Sequence, residues 1–359
     1  LYPEPLGVVL VMPAWNYPVG LAVLPAAGAL AAGNAVALKT SEVAPTTASL
    51  MMALLPNYLD RQAFDVFLGG PEVAEELLQE RYGHIHYTGN SRVGRSVMRA
   101  ASATLTPVTL ELGGKNPVYV HRDADIATAA RRIMWGRMFN AGQTCLSPDY
   151  VLAHRSIKRQ LLAEMKKWIA EAYGSDPQVS PDLARIVNDR HFDRVIALLD
   201  GAGEIVAGGK FERATRYVAP TIVDEPDLEH PLMTEEIFGP IIAVLGVDDP
   251  AEAVAFVAAR AQPLSAYVFT GDDDVVAMFT ERTSSGSLVI NHVFMHAFNA
   301  NLPFGGVGES GMGTYTGKHS FDCFTHWKPL MRIGLKPDPP ILYPPYSRWK
   351  SVVTHLMFR

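Results

Sequence analysis

The stretch Ile85-His86-Tyr87-Thr88-Gly89-Asn90-Ser91-Arg92-Val93-Gly94 reads as a short buried strand, Ile85–Tyr87, a glycine turn, and a helix beginning near Ser91. The apolar runs Gly7–Val11, Ala35–Leu38, Ala63–Leu68 and Val108–Leu110 repeat the strand signal, with helical patterns between them. Such strand–helix alternation predicts an α/β fold built on a parallel, doubly wound sheet. Ligands of these sheets bind at the carboxyl ends of the strands. Asn16, Lys39, Gly89 and Glu111 each fall at or just after a strand end, so four separate residues converge on one edge.

A second alternating region follows. Helices are predicted near Asp125–Phe139, Ile157–Tyr173, Asp182–Ala202 and Ala251–Ala261, and strands near Val118–Val120, Tyr150–Ala153, Ile241–Val247, Ala266–Phe269 and Ser287–Ile290. A chain of 359 residues is long for one core and suggests two domains. The break is expected at Gly113-Gly114, giving domains over 1–112 and 113–313, followed by an arm and tail over 314–359. Glu111 and Cys145 then face each other across an interdomain cleft, a usual place for a small-molecule site. Phe321–Ile333 reads as a strand or extended arm, and a proline-rich stretch runs from Pro337 to Pro345.

Composition narrows the function classes. With 48% hydrophobic and 19% charged residues the chain can fill its cores. A net charge of −6 supplies no basic field for nucleic acid. Two cysteines cannot build a disulfide framework, so a reducing, cytoplasmic setting is expected. Val19–Ala32 is apolar but short for a membrane span and broken by Pro25 and Gly28. The eleven histidines show no metal-ligand spacing, and no metal is expected.

Chemistry concentrates in two runs: Leu110-Glu111-Leu112-Gly113-Gly114-Lys115 and Phe139-Asn140-Ala141-Gly142-Gln143-Thr144-Cys145. Taken alone, Cys145 would more often be a small core residue and Glu111 a salt-bridged or surface carboxylate. Asn16 alone would be a cap or turn residue before Pro18, and Lys39-Thr40-Ser41-Glu42 a solvated helix start. The two runs, spaced as they are, closely resemble the glutamate and cysteine signatures of the NAD(P)-dependent aldehyde dehydrogenases. Trp15-Asn16-Tyr17-Pro18, Lys39-Thr40-Ser41-Glu42, Glu235-Glu236-Ile237-Phe238-Gly239-Pro240 and Pro303-Phe304-Gly305-Gly306-Val307-Gly308 resemble four further family motifs in the family's order. Leu105–Thr109, Asn301–Gly313 and the tail Tyr343-Pro344-Pro345-Tyr346 look most like the class 3 branch of fatty and aromatic aldehyde dehydrogenases.

The resemblance implies the aldehyde dehydrogenase fold: a Rossmann-like parallel-sheet cofactor domain, an α/β catalytic domain and a C-terminal oligomerisation arm. It implies a nucleophile at Cys145, a general base at Glu111 and an oxyanion donor at Asn16. Lys39 and Glu42 would bind the adenine ribose, and Gly89, Asn90 and Gly94 the pyrophosphate, in place of the familiar Gly-x-Gly-x-x-Gly turn that is absent after the first strand. Glu236 would hold the nicotinamide ribose, with Phe238 against the cofactor. A carboxylate at Glu42 repels a 2′-phosphate, favouring NAD, with NADP as an alternative. Tyr17, Trp135, Met138, Phe139 and Phe304 would line a hydrophobic funnel suited to a medium- or long-chain aliphatic or an aromatic aldehyde. The chain opens on Leu1, and the resemblance implies an N-terminal helical region ahead of it in a longer parent protein.

The expected reaction is oxidation of an aldehyde to the free acid, in a homodimer. Two rivals are a thiol esterase using the same Cys145 and Glu111, which would need no dinucleotide site, and a non-catalytic protein that keeps the fold. In the tail, Trp349, Val352, Val353, Leu356 and Met357 follow helical spacing with Arg348, Lys350, His355 and Arg359 among or beside them. Peripheral membrane contact is one use of such a stripe; packing on the protein's own body or a partner subunit is the commoner one.

Overall fold

The computed structural model describes Leu1–Met357. Its residues gather into two compact units, Pro5–His326 and a smaller one made of Leu1–Glu4 with the described residues from Trp327 on.

The larger unit holds two sheets. The first has six strands in the order Gly311–Met312, Val108–Glu111, His84–Thr88, Val8–Met12, Ala35–Lys39, Phe64–Phe67. The five predicted from the sequence are parallel; the sixth returns from far along the chain and pairs antiparallel, with Gly311 opposite Glu111. Strand order reverses beside Val8–Met12, between His84–Thr88 and Ala35–Lys39, which is where doubly wound sheets open their ligand crevice.

The second sheet has seven strands in the order Ser287–Ile290, Ser265–Phe269, Asn116–Val120, Pro148–His154, Ile241–Val247, Thr221–Asp224, Glu204–Ala207. All its pairings are parallel except that of Glu204–Ala207. Every residue of Asn116–Val120 is buried, as a strand covered on both faces must be. The helix Ile126–Met138 covers it, starting at Asp125, whose carboxylate accepts from the Thr128 N–H at 2.9 Å. Ala129, Ile133 and Met134 on that helix are fully buried, each of the two larger ones worth about 2 kcal/mol of hydrophobic stabilisation.

Three sequence expectations change. The helix predicted over Asp182–Ala202 is confined to Asp189–Ala197, because Asn188 caps it by accepting from His191 N–H and the residues before it are held in irregular conformation by Gln143. Two strands, Glu204–Ala207 and Thr221–Asp224, extend the second sheet without having been predicted. The region Phe321–Ile333 is not one extended arm. A helix, Lys318–Cys323, occupies its start, and the strand is only Thr325–Lys328. The helix is set by Phe324, which is fully buried in the core of the first sheet and whose carbonyl accepts from Asn34 Nδ2 at 2.9 Å.

In the smaller unit Lys328 Nζ ion-pairs with Glu4, and the tail forms the helix Arg348–Met357. Trp349, Val352, Val353, Leu356 and Met357 are all exposed on it; Arg359 lies outside the described residues. No helix among the described residues is long and apolar enough to cross a membrane.

Candidate active site

The loop carrying Cys145 is shaped by three successive left-handed residues, Asn140 and Ala141 at φ 52° and Gly142 at φ 72°. Glycine is required at the third position, since a Cβ there would overlap the Gly239 carbonyl. Gln143 locks this loop in place: its side-chain amide donates to the carbonyls of Asn140 (3.0 Å) and Arg185 (3.1 Å), and its Oε1 accepts from Val187 N–H at 2.9 Å. Asn116 Nδ2 then donates to the carbonyls of Cys145 at 2.7 Å and Ser147 at 3.0 Å. The Tyr267 hydroxyl donates to the carbonyl of Leu146 at 2.7 Å. Backbone from Cys145 onward is therefore pinned to the second sheet, and the loop before it is tied through Gln143 to Arg185 and Val187.

Cys145 is a free thiol. Burial first, then the Glu236 and Glu111 carboxylates, push its pKa up to about 12. Glu111 ends the strand Val108–Glu111 and is 3% exposed. Neither of its oxygens has a hydrogen-bond partner among the described residues, and burial raises its pKa well above the ordinary carboxylate range. The two residues nominated from separate runs thus feel each other's charge at one site.

Asn16 follows the strand Val8–Met12. Its Nδ2 donates one hydrogen to the Gln143 carbonyl at 3.1 Å, which leaves the second amide hydrogen for another acceptor. Asn140 Nδ2 donates back to the Asn16 carbonyl at 3.2 Å. The Tyr17 hydroxyl is hydrogen-bonded to Thr144 Oγ1 at 2.6 Å. The segment Trp15–Tyr17 is in this way laced to the loop of Cys145.

A charged network missing from the sequence reading positions the segment Glu235–Pro240. Arg137 is fully buried. It donates from Nε to the Gly239 carbonyl at 2.8 Å and from Nη1 to the Pro148 carbonyl at 2.8 Å and Asp149 Oδ1 at 2.6 Å. Asp149 Oδ2 accepts from Ile237 N–H at 3.1 Å and from Lys115 Nζ at 3.3 Å. Lys115 also donates to the carbonyls of Leu232 and Glu235, and Arg194 to those of Glu236, Ile237 and Phe238. The one sequence signal for Arg137 was its place on the same helix face as Ile133 and Met134, where a charge must be paired to be buried.

Within that held segment, the Glu236 carboxylate lies against Gly113, where any Cβ would overlap it. Burial and then the neighbouring Asp149 raise its pKa to about 8, opposed by a hydrogen bond from the Gly114 backbone. Phe238, at φ 45°, meets Trp15 edge-on with ring centres 5.5 Å apart. A cavity of about 590 Å³ is lined by Asn90, Ser91, Gly113, Gly114, Glu236 and Arg260, among others. It falls within the usual range of small-molecule sites, about 300–1,000 Å³.

The residues nominated for phosphate and ribose lie at or after the ends of the strands Ala35–Lys39 and His84–Thr88. A Cβ on Gly89 would overlap the Tyr87 hydroxyl, and one on Gly94 would lie 2.9 Å from Leu112 Cδ2. Both positions therefore keep the backbone close. Asn90 Oδ1 accepts from Val93 N–H at 3.0 Å, capping the helix Ser91–Ser102 whose N-terminus favours anions. Lys39, 6% exposed, ion-pairs with Glu42 at 3.0 Å, and Glu42 is half exposed.

Of the substrate-side residues, Tyr17, Trp135 and Phe139 form one run of rings, with centres 6.3 Å apart for Tyr17–Phe139 and 5.5 Å for Trp135–Phe139. Phe294, not nominated, closes it at 5.8 Å from Phe139. Met138 is buried in the core of the second sheet, against which Trp135, Cys145 and Phe304 also pack. Phe304 stacks on His296 at 6.2 Å and lies edge-on to Tyr315 at 5.7 Å. Among the described residues no group of three or more His, Cys, Asp or Glu could hold a metal ion.

The family model described as "Aldehyde dehydrogenase family" matches residues 1–330. Aldehyde dehydrogenase family 3 member A2 of Pongo abelii is 47% identical over 352 residues, covering 98% of this chain and 72% of that protein. The dimeric NADP-preferring aldehyde dehydrogenase of Mus musculus is 47% identical over 336 residues, covering 94% and 74%. Among solved structures, the substrate-bound state of Staphylococcus aureus AldH superposes with a TM-score of 0.96 at 41% identity, covering 99% of this chain and 78% of that one. A Mycobacterium tuberculosis aldehyde dehydrogenase complexed with NAD+ gives 0.82 at 30% identity, covering 90% and 68%.

Proposed function

The chain belongs to the aldehyde dehydrogenase family, with class 3 relatives, and from that premise we propose a two-step covalent mechanism carried by Cys145 and Glu111. The overall reaction is oxidation of an aldehyde to its acid with NAD(P)+. Cys145 gives up its proton to solvent, adds as thiolate to the carbonyl carbon and forms a thiohemiacetal. The free amide hydrogen of Asn16 and the Cys145 backbone N–H are the donors for the resulting oxyanion, a contribution typically worth about 10²–10³ in rate. NAD(P)+, when bound, would supply the hydride acceptor needed to oxidise such an adduct to a thioester. Lys39 and Glu42 would hold its adenine ribose, the turn Gly89–Gly94 its pyrophosphate and Glu236 its nicotinamide ribose. Glu111 then takes a proton from water, whose oxygen attacks the thioester carbon; the C–S bond breaks and Cys145 leaves as thiolate.

The observation that carries the reading is Glu111: a buried carboxylate with both oxygens unpaired and a raised pKa, electrostatically coupled to Cys145. A proton acceptor with no protein partner among the described residues suits release of a free acid rather than transfer of the acyl group to another thiol. The rings of Tyr17, Trp135, Phe139 and Phe294 support a medium- or long-chain aliphatic or an aromatic substrate. A relative named dimeric supports a homodimer, and the two free thiols support a reducing, cytoplasmic setting. Reduced nicotinamide formation over a series of straight-chain and aromatic aldehydes, with Cys145→Ala alongside, tests the reading: turnover by the parent that disappears in the variant supports it, and equal turnover in both sinks it.

A further inference from the structure

Nine buried side-chain nitrogen and oxygen atoms lack a hydrogen-bond partner among the described residues, and five of them belong to His86, Thr88 and Glu111. These three share one place. The strands His84–Thr88 and Val108–Glu111 run parallel, with His86 beside Thr109 and Thr88 beside Glu111. Side chains alternate faces along a strand, so His84, His86, Thr88, Thr109 and Glu111 project from the same face of the sheet. The hydrogen bond between His84 Nε2 and Thr109 Oγ1, 2.9 Å, shows that face directly. His86 has no exposed surface. Its ring is walled by Tyr315, centres 4.9 Å apart, and Phe324, 6.2 Å.

We propose that His86 is a positioning residue for Glu111: with Thr88 it holds a buried water that hydrogen-bonds the Glu111 carboxylate and keeps it ionised for hydrolysis. The proposal rests on the reading of Glu111 as the base. His86 and Glu111 are diagonal neighbours on adjacent strands, yet neither ring nitrogen is bonded to the carboxylate among the described residues, an arrangement suited to one bridging water. A buried polar group left unpaired costs about 1–3 kcal/mol, and a buried water typically makes about three hydrogen bonds; a carboxylate, a hydroxyl and an imidazole in one patch supply that number. Burial, and then His84, hold the His86 pKa down at about 3. The ring is therefore neutral at working pH, a donor at one nitrogen and an acceptor at the other.

The other titratable groups facing Glu111 are uncharged near neutral pH. Cys145 on the catalytic loop is pushed up to about 12, Tyr315 and Cys323 are both raised by burial, and His84 is held down at about 4. No charged neighbour contributes to the Glu111 shift, so hydrogen bonding is what remains to stabilise its ionised form.

The test is the Glu111 titration itself, followed by carboxyl-carbon NMR of Glu-labelled protein and assigned with Glu111→Gln, in wild type, His86→Phe and His86→Gln. His86→Phe should raise the Glu111 pKa by about one unit, the effect of losing a hydrogen bond to the charged form. His86→Gln, which keeps a donor and an acceptor, should stay near wild type. The pH limb of the hydrolysis step should move with the titration, while the initial burst of reduced nicotinamide stays unchanged. His86→Leu replaces the Phe variant if that fails to fold. An unmoved titration in the apolar variant, or an equal shift in the Gln variant, overturns the proposal. A shifted titration with an unshifted hydrolysis limb leaves the positioning intact and refutes Glu111 as the base.

Discussion

The side-chain amide of Asn16, in the loop after the strand Val8–Met12, donates at 3.1 Å to the carbonyl of Gln143, two residues before Cys145. One bond thus joins the proposed oxyanion donor to the loop of the proposed nucleophile, and each positions the other. Asn16→Ala should lower kcat by about 10²–10³ while the thermal midpoint shifts little, since the Asn140 bond to the Asn16 backbone survives. A variant with normal kcat would remove Asn16 from the chemistry.

Arg137→Met tests the buried network. The change strands Asp149 without its closest cation and frees the Gly239 carbonyl, and breaking a buried pair by removing one partner costs about 3–5 kcal/mol. Because the segment Glu235–Pro240 is held by this network, KM for the dinucleotide should rise along with the loss of stability. Denaturant unfolding and cofactor titration check the two effects separately.

Folding raises Glu236 from 4.5 to about 8, so the native state binds its proton more tightly than the unfolded chain. The stabilisation from this group is whole below pH 4.5 and is lost as pH climbs towards 8. Glu236→Gln does not titrate; relative to wild type it should gain stability across that window and level off above it, by at most about 5 kcal/mol. Urea unfolding at several pH values reads the trend. A variant gaining most at low pH would contradict the sign.

Glu42 is half exposed beside Lys39, where a carboxylate repels an additional phosphate on the adenine ribose. Glu42→Gln should raise kcat/KM for NADP relative to NAD about 5-fold, since removing one repulsive charge near a surface is worth about 1 kcal/mol. An unchanged ratio would place the adenine ribose away from Lys39 and Glu42.

Much of this was legible in the sequence, for physical reasons. Buried parallel strands must be apolar runs, so Val8–Met12, Ala35–Lys39 and His84–Thr88 announced themselves with the turns after them. Motif residues such as Glu111, Cys145 and Asn16 came with fixed neighbours. Edge strands gave no such signal: Glu204–Ala207 is only partly buried and its residues resemble loop. The network of Arg137, Asp149 and Lys115 was not legible because their partners are mainly carbonyls and each other, contacts between residues far apart in the chain. The arm expected over Phe321–Ile333 failed at its start, where burial of Phe324 demands a helix entering from Lys318.

The central claim is that Cys145 carries the acyl group and Glu111 directs its release. Intact-protein mass spectrometry of Glu111→Gln, mixed with NAD+ and one aldehyde and quenched in acid, tests it most directly. The account predicts an acyl group accumulating on Cys145 in near-stoichiometric amount, absent from Cys145→Ala and scarce in wild type. Normal steady turnover by Glu111→Gln with no acyl-protein, or an adduct on a residue other than Cys145, would contradict it.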